Sequence, residues 1–297
     1  MEYFLLLAAV VISVANSSVM HVFANKGLRN HGDVFLFICG TQFIWTVLLF
    51  AFSAATDKLI FSRDVILYGL LYGLLLFFFQ IFKLSAMSSG PVSLTNLIGA
   101  SSFLISSAYS YFVLNERINP LCFAGVLLLI LSLYLCIDLK GKATGENMKL
   151  SPRWLVLSFC LFLVGGVIGI LYMHFNRTPS ADNVDPMMLL ASGVSSLLLL
   201  AAAFGAKTVK KTPAPRLPKS TLKYLFAVGV TGCVYMRLNI GLVKLIPGIL
   251  LFPLTNASII LLSTVAGRVL FREKLNRRQL IGILIGLFAV VFIGVTK

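Results

Sequence analysis

Long apolar runs separated by short polar segments occupy almost the whole chain. Each run is about 20 residues long, the length that an α-helix needs to cross a hydrocarbon core of about 30 Å. The runs are continuous, and this excludes the alternating pattern of a transmembrane barrel. They predict ten membrane-spanning helices, over residues 2–23, 33–55, 64–86, 91–114, 118–138, 153–174, 185–206, 220–243, 247–271 and 277–296. The fold class that follows is an all-α integral membrane protein.

Composition agrees with this prediction and changes the interpretation of the charge. The 297 residues are 59% hydrophobic and only 12% charged, whereas soluble domains contain about 25% charged residues. The net charge of +15 comes from Lys and Arg in the short loops, which is the orientation signal of membrane proteins. We therefore expect the lipid bilayer and a small-molecule substrate as partners, no nucleic acid, and a monomer or homodimer.

The same loop charges predict an orientation. Most Lys and Arg lie in the odd-numbered loops, and the positive-inside rule then places both termini outside the cytoplasm. The better-known members of the family introduced below resemble the opposite arrangement, so orientation stays open.

Nothing in the sequence predicts an enzyme or a bound cofactor. The chain has no HExxH motif, no GxSxG nucleophile turn, no pair of intramembrane aspartates and no nucleotide-binding loop. The cysteines lie inside apolar runs without metal-ligand spacing, which predicts neither a zinc site nor a disulfide framework; they are Cys39, Cys122, Cys136, Cys160 and Cys233. We expect no metal and no cofactor.

The two halves of the chain resemble each other. Glu116 and Glu273 lie 157 residues apart (273 − 116), and at this offset Gly125 meets Gly282. At a slightly different offset, Met20-His21 matches Met173-His174. The order of these matches predicts a repeat.

The repeat defines three parts of the chain. They are a first five-helix repeat over 1–140, a polar linker over 141–152 and a second five-helix repeat over 153–297. An odd number of spans makes the second copy enter the membrane from the opposite side. Two inverted five-helix repeats are typical of secondary transporters, in which the halves rock about a site near the midplane.

A family resemblance rests on the ends of the two halves. The segment KLSAMSSGPVSLTNLIGASSFLISSAYSYFVLNERINPLCFAGVLLLILSLYL resembles the repeat of the drug/metabolite transporter superfamily, in its EamA-like ten-helix branch. LIPGILLFPLTNASIILLSTVAGRVLFREKLNRRQLIGILIGLFAVVFIG resembles the second copy, although Asn115 and Arg272 stand where the family usually has glycine. The resemblance implies a transporter with a central cavity lined mainly by helices 1, 3, 4, 6, 8 and 9.

Charge inside the predicted helices is cationic. Lys83 and Arg237 lie within helices 3 and 8, whereas the carboxylates lie in loops or at helix ends. Positive groups of this kind bind carboxylates or phosphates, and they also reach the interface from near a helix end. We therefore expect an anionic or zwitterionic substrate, such as an amino acid or a related compound.

Further candidates are polar residues in apolar helices. With Lys83 and Arg237, the predicted substrate-binding residues are Asn16, Gln80, Asn96, Tyr172, Asn239 and Asn256. Interhelical hydrogen bonding is the alternative role of the amides. His21 and His174 form a matching pair that either senses protons or substrate, since histidine titrates near neutral pH, or lies at the interface.

Together these patterns predict a secondary transporter of a small organic metabolite, working by alternating access in a bacterial plasma membrane. A multidrug cation exporter is the alternative, disfavoured because a buried carboxylate is missing from the helix interiors. A membrane scaffold or receptor is less favoured, because it gains nothing from an inverted repeat.

Overall fold

The computed structural model describes residues 2–27, 31–56, 59–89, 95, 98–99, 101–115, 120–136, 151–210, 221–271 and 277–296. These residues form ten α-helices and, within the described ranges, no strand. The helices are α1 (Glu2–Gly27), α2 (His31–Ala55), α3 (Arg63–Ser89), α4 (Phe103–Phe112), α5 (Pro120–Cys136), α6 (Pro152–Phe175), α7 (Val184–Lys210), α8 (Leu222–Leu242), α9 (Gly248–Phe271) and α10 (Arg277–Thr296).

The predicted number and order of helices are confirmed, because each apolar run contains one described helix. Helix ends differ from the predicted ones by a few residues. The fourth helix differs most: the prediction was 91–114, whereas the described helix is Phe103–Phe112. A turn at Ser102 precedes it, with the Ile105 amide donating to the Ser102 carbonyl at 3.1 Å. Most of 91–100 lies outside the described residues.

Six helices of the described chain are long and apolar enough to cross a membrane; they are α1, α2, α3, α6, α7 and α8. Shorter apolar stretches lie in α5, α9 and α10. In α9, Pro253 occupies the helix interior, where it removes one backbone donor.

A residue with left-handed backbone follows the end of the fourth helix. Asn115 has φ of 52°, and the amides of Val113 and Leu114 both donate to the Tyr109 carbonyl. Left-handed backbone favours glycine, and asparagine is among the few other residues that tolerate it. This geometry gives a physical reason for the glycine that the family pattern has at this position.

The chain packs into two compact units. The first comprises Met1–Phe77 and His174–Leu242, and the second comprises Phe78–Met173 and Val243–Lys297. In the first, α1 packs on α8, and α2 packs on both α7 and α8. In the second, α5 packs on α10, and α9 packs on α4, α5 and α10. Each unit takes helices from both sequence halves, so this division is not the predicted repeat, which stays a prediction.

Glycines allow close helix approach in both units. In the first, a Cβ on Gly229 of α8 would lie 2.8 Å from Ile44 Cγ2 of α2. In the second, a Cβ on Gly166 of α6 would lie 2.5 Å from Ile105 Cβ of α4. Both distances are shorter than van der Waals contact, so a larger residue would push the helices apart.

A candidate substrate-contact site on α1 and α8

Asn16 connects α1 to α8 in the first unit. Its Nδ2 donates to Thr231 Oγ1 and to the Val228 carbonyl, both at 2.8 Å. Thr231 Oγ1 in turn donates to the Ala227 carbonyl at 2.7 Å. The predicted amide therefore lies in an interhelical hydrogen-bond network, which orients its side chain.

Two further polar residues continue along α8. Within α8, Asn239 Nδ2 donates to Tyr235 Oη at 3.4 Å. Asn239 Oδ1 is buried and has no hydrogen-bond donor among the described residues. An unpaired buried carbonyl oxygen costs free energy, so a ligand N–H or O–H that reached it would be bound favourably.

Together Asn16, Thr231, Tyr235 and Asn239 form what we call the polar row. Residues 231, 235 and 239 are four apart, so they lie along one face of α8. The polar row carries neutral donors and acceptors and no formal charge, which suits it to recognising hydroxyl, amide or ammonium groups.

Arg237 makes a different set of contacts. Its Nε donates to Asp185 Oδ1 of α7 at 2.6 Å, and one Nη donates to Asp185 Oδ2 at 3.2 Å. Its guanidinium carbon lies 4.4 Å from the ring centroid of Phe52 on α2. The Asp185 side chain is 6% exposed and that of Arg237 is 47% exposed. The guanidinium is thus held on one edge by a buried carboxylate and on one face by an aromatic ring.

The structure does not bring Arg237 to the polar row. Arg237 is two residues from both Tyr235 and Asn239, and two residues turn an α-helix by about 200°. It therefore lies on the opposite side of α8, toward α2 and α7. The prediction that Arg237 contacts substrate stays untested, but it cannot act beside Asn239 in this arrangement.

The other described candidates lie in the second unit. Gln80 and Lys83 are half-buried on α3, and no described carboxylate pairs with Lys83. Tyr172 is buried in α6. Asn256 Nδ2 donates to the Phe252 carbonyl at 2.9 Å, within its own helix.

The histidine pair is described only in part. His174 is half-buried in the last turn of α6. The His21 side chain and the whole of Asn96 lie outside the described residues. In the described part of the chain, no group of three His, Cys, Asp or Glu side chains is placed to hold a metal.

Asp185 is the residue that the sequence did not single out. Its position in the first turn of α7 suggested an exposed helix-end carboxylate, because acidic residues suit a helix N-terminus. Its burial follows from the packing of α7 against α2 and α8. The Asp-Pro pair at 185–186 marks the helix start but gives no sign of the distant arginine.

The long apolar helices are those of a membrane protein, and comparisons with known proteins agree. The family model "EamA-like transporter family" matches residues 2–137. The matched residues make up just under half of the chain, and over them the chain is similar to the EamA-like transporters of the drug/metabolite transporter superfamily. The resemblance drawn from the sequence is thereby confirmed. The apolar helices and this similarity show a multi-pass integral membrane protein, and members of the matched family are transporters.

A solved structure has the same fold over nearly the full length. It is titled "Crystal structure of protein", and the two chains align with a TM-score of 0.74 at 18% identity. The alignment covers 98% of this chain and 95% of the other. At this identity the likeness shows the fold alone. Among curated proteins, no sequence match was found.

Proposed function

We propose that this transporter carries a small anionic or zwitterionic organic metabolite across the bacterial plasma membrane by alternating access. One observation carries the choice of charge: both oxygens of the buried Asp185 carboxylate already accept hydrogen bonds from Arg237. A cationic substrate would have to displace that guanidinium. Lys83, in contrast, is a cation for which the described residues supply no carboxylate partner.

The polar row supplies the neutral contacts of the proposed site. Asn239 Oδ1 accepts a hydrogen bond from the substrate, for instance from an ammonium or hydroxyl group. Asn16 fixes the spacing between α1 and α8 through its bonds to Thr231 and Val228. Without ligand, this oxygen has no hydrogen-bond donor in an apolar environment, which costs free energy. A ligand that donates to it removes this cost, and this favours ligand binding.

The charge preference can be tested with three compounds that share one side chain: an amino acid, the amine left after its decarboxylation, and the acid left after its deamination. Ligand binding raises the free energy of unfolding, by about 2.7 kcal/mol at a ligand concentration of one hundred times Kd. Several such sets, each with a different side chain, are tested. We expect the amino acid or the acid of a set to raise the unfolding temperature. A shift with the amine alone would overturn the proposal in favour of a cation exporter.

The polar row can be tested by replacing Asn239 with leucine, which keeps the size and removes the acceptor. We expect substrate affinity to fall about tenfold, the equivalent of about 1.4 kcal/mol. Ser17→Ala is the matched control, because Ser17 Oγ donates within α1 to the Ser13 carbonyl. Unchanged affinity in Asn239→Leu would remove the polar row from the site.

Alternating access can be tested in liposomes loaded with unlabelled substrate. Labelled external substrate should then accumulate transiently without ATP, because a carrier exposes its site to each side in turn. Uptake of labelled substrate that does not saturate with its concentration, and that internal substrate does not accelerate, would contradict a carrier mechanism.

A further inference from the structure

The contacts of Arg237 lie at one end of the first unit. Asp185 is in the first turn of α7, Phe52 is in the last turn of α2, and Arg237 is five residues before the end of α8. Three helix ends therefore meet at this level. The ends of membrane-spanning helices lie near the lipid headgroups, since about 20 residues cross the hydrocarbon core.

The Arg237 guanidinium contacts two side chains and keeps some of its N–H donors unoccupied by them. Asp185 occupies the edge formed by Nε and one Nη, and Phe52 covers one face. Arginine has five N–H donors in a fixed plane, so the remaining edge still presents donors. No described residue accepts from that edge, and 47% of the side chain is exposed.

Apolar side chains are exposed nearby in the sequence. Phe50 and Phe52 are exposed in the last turns of α2, and the segment that follows exposes Leu59, Ile60 and Phe61. Exposed apolar groups at the end of a membrane helix lie among lipid chains. A ligand held at Arg237 would thus have an apolar surface on α2 next to its charged group.

We propose that Arg237 binds the phosphodiester of an anionic phospholipid, with Asp185 and Phe52 as its positioning residues. The planar guanidinium matches phosphate oxygens through two parallel hydrogen bonds, and basic residues near the membrane surface attract anionic lipids. Asp185 orients the free edge outward, and the exposed phenylalanines contact the acyl chains. This role of Arg237 is separate from the substrate contact at the polar row.

The experiment uses the full-length protein in phosphatidylcholine vesicles, with or without phosphatidylglycerol as the minor component. Thermal unfolding and native mass spectrometry of the extracted, folded protein report on lipid binding. We expect phosphatidylglycerol to stabilise the wild type and to remain bound. Arg237→Gln should weaken this binding about tenfold or more, since a hydrogen bond to a charged group contributes about 1.5–3 kcal/mol.

Arg63→Gln is the matched control. Arg63 is an exposed arginine at the start of α3, and α3 starts on the side of the membrane where α2 ends. Its loss removes the same charge without touching Asp185 or Phe52, so phosphatidylglycerol binding should persist. Equal losses in both variants would mean general charge attraction and would overturn the site.

Two further outcomes would also overturn it. Stabilisation of the phosphatidylcholine sample by inorganic phosphate, lost in Arg237→Gln, would identify a free-anion site. Competition between a transported compound and phosphatidylglycerol would place Arg237 in the substrate site. Native mass spectrometry counts bound lipid on folded molecules only, so it remains informative if a variant loses stability.

Discussion

Cys39 and Ser196 exchange hydrogen bonds between α2 and α7. The Cys39 thiol donates to the Ser196 carbonyl at 3.3 Å, and the Ser196 hydroxyl donates to the Cys39 carbonyl at 3.2 Å. Reciprocal contacts of this kind arise where a two-fold axis relates two equivalent residues. The two residues are 157 apart in sequence, the same separation as Glu116 and Glu273. The five-helix repeat, which stays a prediction, would relate these two positions to each other.

The register between α2 and α7 can be tested by cross-linking. In a background in which the other four cysteines are alanine, Ser196→Cys should form a disulfide with Cys39 under mild oxidation. We expect this because Cys39 Sγ and Ser196 Oγ are 3.4 Å apart. Mass spectrometry of proteolytic peptides detects the linked pair.

Ser195→Cys is the control for that experiment. Ser195 is also buried in α7, but one residue turns the helix by about 100°, so its thiol should link much less. Equal cross-linking from both positions would contradict the described register.

Close approach of α4 and α6 predicts a cost for Gly166→Ala. The added Cβ would lie 2.5 Å from Ile105 Cβ, and overpacking of this kind costs about 1–3 kcal/mol. Thermal unfolding in detergent should show a lower midpoint. Gly241→Ala in α8 is the matched control, because nothing lies within 4 Å of its added Cβ. That variant should unfold at a midpoint close to that of the wild type, since its added Cβ meets no neighbouring atom.

The left-handed backbone at residue 115 predicts different effects for two substitutions. Asn115→Gly should preserve or raise stability, because glycine adopts positive φ without steric cost. Asn115→Val should lower the free energy of unfolding by about 1–2 kcal/mol, the cost of left-handed backbone for a branched residue. Thermal unfolding of the two variants side by side checks this, and equal midpoints would contradict the φ of 52°.

A buried hydrogen bond predicts an energetic coupling between α6 and the segment before α4. Trp154 Nε1 donates to Thr95 Oγ1 at 2.9 Å, and both side chains are buried. Thr95→Val should cost about 1–3 kcal/mol in the wild type, because it leaves the indole N–H without an acceptor.

The same substitution should cost clearly less in a Trp154→Phe background, where that donor is already gone. A double-mutant cycle measured by thermal unfolding gives the coupling. Strictly additive effects would mean that the hydrogen bond contributes nothing.

The candidate site was predictable only in its residue types. An amide in an apolar helix, such as Asn16 or Asn239, is conspicuous in the sequence because polar groups are costly in the membrane. Asn16 donates a hydrogen bond to Thr231, whereas Asn239 keeps an unpaired oxygen. This difference depends on which faces of α1 and α8 meet. Arg237 was equally conspicuous, but its partner Asp185 lies 52 residues away and resembles an ordinary helix-start carboxylate.

The sequence by itself determined the ten helices, because the length and apolarity of each run depend on local residues and on the thickness of a bilayer. Only the tertiary structure decided that Arg237 is paired with Asp185, on the side of α8 away from Asn239. Helix rotation sets which side chains meet, and rotation is fixed by the packing of neighbouring helices. Runs that are apolar on all sides carry little information about rotation, so the sequence left this undecided.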